Sequence, residues 1–196
     1  NSLTNYGGDY SFRNTRSFWS KAATQMLKAE VYLWTAHRTG GTADANTALS
    51  ALNDIETNIP SLTVLPSFAN VFAANNKGNN EIIFAIRNQL NESTLPFAGT
   101  FFPQTALLAN YYDSVGNRKF NVNQDNWGGL LRAPVTVSTF RKFDDLDSRK
   151  WFTIQPAYSS PAPGVYNIVG CFVKKYEGEQ NLGSRIYTND FPIYRY

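Results

Sequence analysis

Apolar residues recur with a helical period between Trp19 and Ala36. Trp19, Ala22, Ala23, Met26, Leu27, Ala29, Tyr32, Leu33 and Ala36 share one face. This spacing predicts a helix, with Thr15 as its N-terminal cap and Gly40-Gly41 as its stop. A second helix is predicted from Thr42 or Asp44 to about Asn58. Ala45, Ala48, Leu49, Leu52, Ile55 and Ile59 form its face, and Pro60 ends it. Alanines at 22, 23, 29 and 36 let a partner helix approach closely, so residues 15–60 are expected to form an antiparallel helical hairpin. Its size suits one unit of tetratricopeptide-like type, roughly 34 to 40 residues, although the strict consensus of that repeat is absent.

The rest of the chain, 61–196, reads as loop-rich with short strands and helices. Val64 to Phe72 is a short amphipathic helical piece, and Glu81 to Asn88 an apolar strand after the Asn- and Gly-rich turn Asn75 to Asn80. After Gln89, prolines and glycines come too often for long elements. Val137 to Phe143 reads as a short helix with Ser138 or Thr139 near its start. Trp151 to Gln155 and Tyr166 to Tyr176 read as strands that pair around Tyr158 to Gly164. The last stretch, Asn189 to Tyr196, reads as the entrance to a helix, with Asp190 as its cap and Pro192 in its first turn. The expected fold class is therefore mainly α with irregular loops and a few short strands, in a single unit covering 1–196.

Composition narrows the chemistry. Of 196 residues, 42% are hydrophobic, enough for a sizeable core, and aromatics at 15% nearly equal the charged residues at 17%, so aromatic surface must carry much of the packing. The net charge is +3, but lysines and arginines are scattered and no basic tract interleaves with aromatics, which argues against nucleic-acid binding. The lone cysteine, Cys171, lies in the apolar run Ile168 to Val173 and reads as a small core residue. The lone histidine, His37, falls at the end of the first helix and reads as a helix-terminus residue. No nucleophile elbow, phosphate-binding loop or dinucleotide fingerprint occurs, so no catalytic residue, metal ligand or cofactor is assigned. Asp144, Asp145 and Asp147 invite a calcium or glycosidase reading, but acids followed by Arg149 are expected to cap, turn and pair with that arginine. No apolar run approaches the roughly 20 residues that span a bilayer.

Sugars offer apolar C–H faces and hydroxyl edges, so a sugar site pairs flat aromatics with Asn, Asp, Gln or Arg side chains. The best local match runs from Tyr111 and Tyr112 through Arg118 to Asp125, Asn126 and Trp127. Those six are the candidate ligand-binding residues. For Trp127, before Gly128-Gly129, anchoring of the loop is the competing role. Trp19, Trp34 and Trp151 are expected to be buried in elements.

Several segments taken in order carry a family resemblance. They are Trp19 to Trp34 with its A-E-V-Y-L-W end, Glu81 to Arg87 after an Asn/Gly turn, Asp145-Leu146-Asp147-Ser148-Arg149, Lys174-Lys175-Tyr176, and Asp190-Phe191-Pro192-Ile193-Tyr194-Arg195-Tyr196. Together they resemble the SusD/RagB family of outer-membrane nutrient-binding lipoproteins, found beside TonB-dependent transporters in Bacteroidetes. The resemblance implies a non-enzymatic protein at the cell surface that captures oligosaccharide and delivers it to a SusC-like transporter. It implies a lipid anchor and signal sequence upstream of Asn1, and structural roles for Asp147, Arg149 and Arg195. It also implies that the segment Asp190 to Tyr196 leads into a helix, which would hold the partners of Arg195. Peptide capture by the same kind of lipoprotein, or a helical-repeat scaffold that binds another protein, is the alternative. Flanking helices missing from the hairpin would leave apolar faces exposed, so association through those faces is expected.

Overall fold

The structure is a computed structural model that describes residues 9–13, 15–114, 119–121 and 126–196. It divides into two compact units, one made of Asn1–Pro66, Gly78–Arg87 and Phe191–Tyr196, the other of Ser67–Lys77 and Asn88–Asp190.

The first unit is built on the expected hairpin. Helix α1 (Lys21–Thr35) starts later than Thr15 suggested: Ser20 caps it by accepting the Ala23 N–H at 3.3 Å. Thr15 is drawn away because its hydroxyl accepts the Ser17 amide and because the Arg16 carbonyl accepts the Ala85 N–H at 2.9 Å. A π-helical turn (Ala36–Gly40) joins α1 to α2 (Gly41–Asn58), and His37 is exposed on it. A Cβ on Gly40 would lie 1.7 Å from an Asp44 carboxylate oxygen, and that carboxylate accepts the Thr35 hydroxyl at 2.6 Å, so the turn is closed over a position only glycine fits. The helices meet through small side chains, with Ala22, Ala23, Ala29, Ala48 and Ala51 all buried. Leu33, Leu49 and Leu52, expected on the core face, are instead exposed, and Trp34 is 61% exposed with the Arg38 guanidinium over its ring. Close approach of the alanine face leaves the bulkier positions outside.

Strand β1 (Ile82–Ile86) packs its buried Ile83 against Ala22, Ile55, Ile59 and Leu62. Its partner is the end of the chain. The predicted helix entrance is strand β6 (Phe191–Arg195), antiparallel to β1 with Ile82 opposite Arg195 and Ile86 opposite Phe191. Pro192 sits opposite Ala85 beside a register shift, where its missing N–H is tolerated. Arg195 finds its partner inside the chain: Nη1 lies 2.6 Å from Glu81 Oε1, while Glu81 Oε2 accepts the Leu65 N–H at 2.8 Å. The Glu81 side chain is almost wholly buried, so this pair and amide stand in for the water it has given up.

The second unit opens with the short helix α3 (Phe68–Phe72), whose two rings pack edge-on with each other, Phe68 edge-on with Phe152 and Phe72 edge-on with Tyr176. Two single-turn helices, α4 (Ala98–Phe101) and α5 (Thr105–Leu108), escape the sequence pattern because each is shorter than the window that periodicity needs. Helix α6 (Val137–Lys142) has Ser138 and Thr139 in its first turn, as expected, and is capped by Thr136. Trp151, read as the head of a strand, lies in α7 (Ser148–Thr153), 41% exposed, its indole N–H donating to the Asp145 carbonyl at 2.8 Å. Asp147 starts that helix by accepting the Arg149 N–H at 2.9 Å.

The expected strand pair forms, but longer and shifted. Strands β2 (Ile154–Ala162) and β3 (Val165–Val173) make an antiparallel hairpin whose turn is only Pro163-Gly164. Leu182 and Gly183, both at positive φ, turn a second hairpin between β4 (Glu179–Asn181) and β5 (Ser184–Ile186), which composition alone did not mark. Among the described residues no helix is long and apolar enough to cross a membrane.

Two predictions follow from this packing. Replacing Arg195 by Ala leaves the Glu81 carboxylate buried with one amide donor; discounting for the half-exposed arginine, the loss in urea unfolding is expected to be about 2 kcal/mol. A change below about 0.5 kcal/mol would show that the pair holds nothing together. The phenols of Tyr10, Tyr187 and Tyr194 are each pushed up to about 12, in every case chiefly by burial, with Asp54 adding to the effect at Tyr10 and Glu30 at Tyr194. Because the folded state favours the protonated phenol, this contribution is complete below the ordinary value near 10 and is lost as the pH rises toward about 12. Alkaline titration followed at 295 nm should show a lagging set of tyrosines and falling stability over that window.

Candidate ligand-binding site

Tyr111 and Tyr112 follow α5 after two intervening residues, and the structure sends them to different places. The Tyr111 N–H donates to the Leu108 carbonyl at 2.9 Å, ending the helical turn. Tyr112 exchanges backbone hydrogen bonds of 2.8 and 2.9 Å with Tyr158 of β2, which places its ring edge-on to Tyr166 at 5.4 Å. Tyr111 therefore lines a cleft, whereas Tyr112 packs on the hairpin.

That cleft has a volume of about 420 Å³. One wall is Leu107 and Leu108 of α5 with Tyr111, another is Leu131 and residues 134–137, and the third is the hairpin, through Ala157, Val169 and Cys171. Its lining is almost wholly apolar; the side-chain hydroxyls are those of Tyr111 and Thr136, and the second already caps α6. Cys171 is buried, as its apolar surroundings suggested, and burial pushes its thiol up although Arg141 and Lys150 pull the other way.

Asn126 and Trp127 lie in the same unit but are committed to structure. Asn126 Oδ1 accepts the Thr105 hydroxyl at 2.7 Å, and its Nδ2 donates to the Gly183 carbonyl at 3.2 Å, which ties the start of α5 to the β4–β5 turn. Trp127 is only 4% exposed. Phe102 and Phe172 each lie 5.2 Å from its ring, the Arg185 guanidinium covers it at 4.1 Å, and its carbonyl accepts the Tyr187 hydroxyl. This is the loop-anchoring arrangement. Arg118 and Asp125, like Asn117, Asn123 and Gln124, lie outside the described residues. Of the six candidates, then, the structure places Tyr111 on a cleft, Tyr112 beside it on the hairpin, and Asn126 and Trp127 in the supporting frame.

The acidic cluster is spent as the sequence suggested. Asp144 accepts the Leu146 N–H at 2.8 Å, Asp145 pairs with the buried Lys150, and Asp147 both caps α7 and pairs with Arg149 at 2.7 Å. The hydrogen bonds from Arg149 hold the Asp147 carboxyl below the usual carboxylate range. Among the described residues no group of His, Cys, Asp or Glu is arranged to hold a metal ion.

A second cleft of about 280 Å³, missed at the level of sequence, lies between α3, Phe152 and residues 175–179. Its lining comes from four separated stretches, chiefly residues 69–75 and 175–179, so no local pattern marks it.

No family model matches the chain, and no curated protein does. Solved structures do. NanU of Bacteroides fragilis is 38% identical, with a TM-score of 0.88 over 99% of this chain and 41% of that one. A SusD superfamily protein from Bacteroides vulgatus is 33% identical, with a TM-score of 0.87 over 100% of this chain and 42% of that one. Surface glycan-binding protein A from Bacteroides thetaiotaomicron, in complex with laminarihexaose, is 18% identical with a TM-score of 0.54 over 94% of this chain and 42% of that one, a likeness of fold alone. The chain thus spans about two fifths of the length of these solved structures.

The cleft geometry sets the behaviour of its thiol. Cys171 should resist a disulfide reagent such as DTNB at pH 8 in the native state and react fully once urea unfolds the protein. Stoichiometric labelling of the native protein within minutes would contradict the burial and the raised thiol.

Proposed function

We propose that this chain, which belongs to the SusD/RagB family, forms part of a surface lipoprotein that captures oligosaccharide and passes it to a TonB-dependent transporter in the outer membrane. Family membership supports the reading most strongly, and the cleft beside Tyr111 is compatible with it. A flat phenol on an otherwise apolar wall stacks against the C–H face of a sugar, and its hydroxyl reaches a hydroxyl edge. Affinity then comes from stacking and shape rather than from charge, and turnover plays no part. The lipid anchor and the transporter belong to this proposal as well. Surface glycan-binding protein A holds laminarihexaose on a related fold, which makes the architecture compatible with an oligosaccharide ligand.

One observation favours a second reading, peptide capture. The cleft has few hydrogen-bonding side chains for its size, which suits apolar peptide side chains as well as a sugar face.

The test is a glycan array on the protein followed by calorimetry, with a panel of extended peptides beside it. An oligosaccharide hit that Tyr111→Ala weakens about tenfold, equivalent to about 1.4 kcal/mol, is the expected result. Peptide binding with the same sensitivity and no glycan binding would move the conclusion to the second reading. Glycan binding indifferent to Tyr111→Ala would remove the cleft from the proposal.

A further inference from the structure

We infer that the second cleft is a separate pocket for a single neutral sugar ring, an inference that rests on the glycan reading but not on Tyr111. It lies wholly within the second unit and shares no lining residue with the Tyr111 cleft.

Its walls are fixed by one buried amide. Asn189 is almost completely buried; its Nδ2 donates to the Phe72 carbonyl at 2.8 Å, and its Oδ1 accepts the Gly178 N–H at 2.8 Å. Helix α3 and residues 175–179 are thereby stapled to each other. Gly178 has φ of +69°, and a Cβ there would lie 2.0 Å from the Ile186 carbonyl oxygen, so this wall is held in a conformation that other residues cannot share. A preformed wall lowers the ordering cost of binding.

The lining suits a polyhydroxylated ring. Phe152 stacks on the buried Phe72 at 6.0 Å with 21° between their planes, so the aromatic floor is the partly exposed Phe152 ring backed by Phe72. The Lys175 ammonium sits 3.8 Å from the Phe72 ring centroid, held at one side of the cleft. Around this floor stand Glu177, Glu179 and Asn75. One Glu179 oxygen takes the Thr188 hydroxyl at 2.7 Å and leaves the other. Among the described residues, neither the Glu177 carboxylate nor the Asn75 amide makes a hydrogen bond within the protein.

The carboxylates accept, the ammonium donates and the amide does both, whereas a sugar hydroxyl donates and accepts at once. No single-sign ligand satisfies that set. Two carboxylates against one ammonium also disfavour an acidic sugar. At about 280 Å³ the pocket falls just short of the roughly 300 Å³ where drug-sized sites begin, which is room for one ring and not for an extended chain.

The test uses methyl glycosides of glucose, galactose, mannose and N-acetylglucosamine, with methyl glucuronide as the acidic probe, in saturation-transfer NMR and titration on the protein. At least one neutral glycoside is expected to bind, with saturation strongest on the C–H face that meets Phe152, and the glucuronide at least fivefold more weakly. Glu177→Gln and Asn75→Ala should each weaken that binding fivefold or more; far-ultraviolet circular dichroism checks that each variant keeps its fold. Neutral glycosides that bind equally to wild type, Glu177→Gln and Asn75→Ala would overturn the inference while leaving the Tyr111 reading intact. Oligosaccharide binding on the array with no glycoside binding would do the same. Absence of any carbohydrate binding would remove both.

Discussion

The first unit depends on a buried carboxylate. Glu81 opens β1, and its two oxygens are used by a guanidinium from the far end of the chain and by the amide of Leu65. The chain between β1 and β6 runs through more than a hundred residues before Arg195 returns to close the pair. Closing so long a loop costs only slightly more than closing a shorter one, because the entropy grows with the logarithm of length. What the closure requires is a specific partner at the end, and a carboxylate that has given up water supplies one. The Tyr196 N–H on the Glu81 carbonyl, at 2.8 Å, extends the ladder past the ion pair.

The second unit closes its own entry and exit in a related way with neutral groups. Asn88 donates through its side chain to the Asn189 carbonyl at 3.0 Å and through its backbone to the Asp190 carboxylate at 3.1 Å. This is the physical reason that Asp190 caps no helix: its carboxylate is already engaged with an amide a hundred residues earlier. Asn189, beside it, spends its own amide on α3 and Gly178. Entry, exit and the wall of the smaller cleft therefore share consecutive residues, and a disturbance at the closure would be felt in the pocket.

Legibility followed the range of the forces involved. The hairpin of α1 and α2 was readable because its alanines and stop signals are local, and β1 because an apolar run bounded by turns admits few alternatives. The error at Asp190-Phe191-Pro192 was a conflict between local and distant signals: the acid and the proline fit a helix start, and the pairing with β1 that overrode them has no trace in that segment. Trp151 went the same way, since its place in α7 depends on the Asp147 cap and on an indole hydrogen bond to Asp145. Two neighbouring tyrosines showed the limit for the candidate site. Composition singled out Tyr111 and Tyr112 together, but only the bridge from Tyr112 to Tyr158 decides which of them meets the cleft.

Aromatic residues make up 15% of the chain, and packing consumes most of those in the second unit. Phe102, Trp127, Phe172 and Tyr187 form one connected set, with Phe102 and Tyr187 stacked at 4.9 Å and the tyrosine hydroxyl closed on the Trp127 carbonyl. Phe68, Phe72, Phe152 and Tyr176 form another. Where the longest helix among the described residues of the unit has six residues, such rings supply buried area that regular elements cannot. The two sets differ in what borders them. Around Trp127 the open face is taken by Arg185, so the cluster is sealed; around Phe72 and Phe152 the neighbouring carboxylates and amide stand over a cavity. The Trp127 indole N–H is left without a hydrogen-bond partner but is buried beneath Arg185, so what separates the second cluster from the first is an edge that opens onto a cavity.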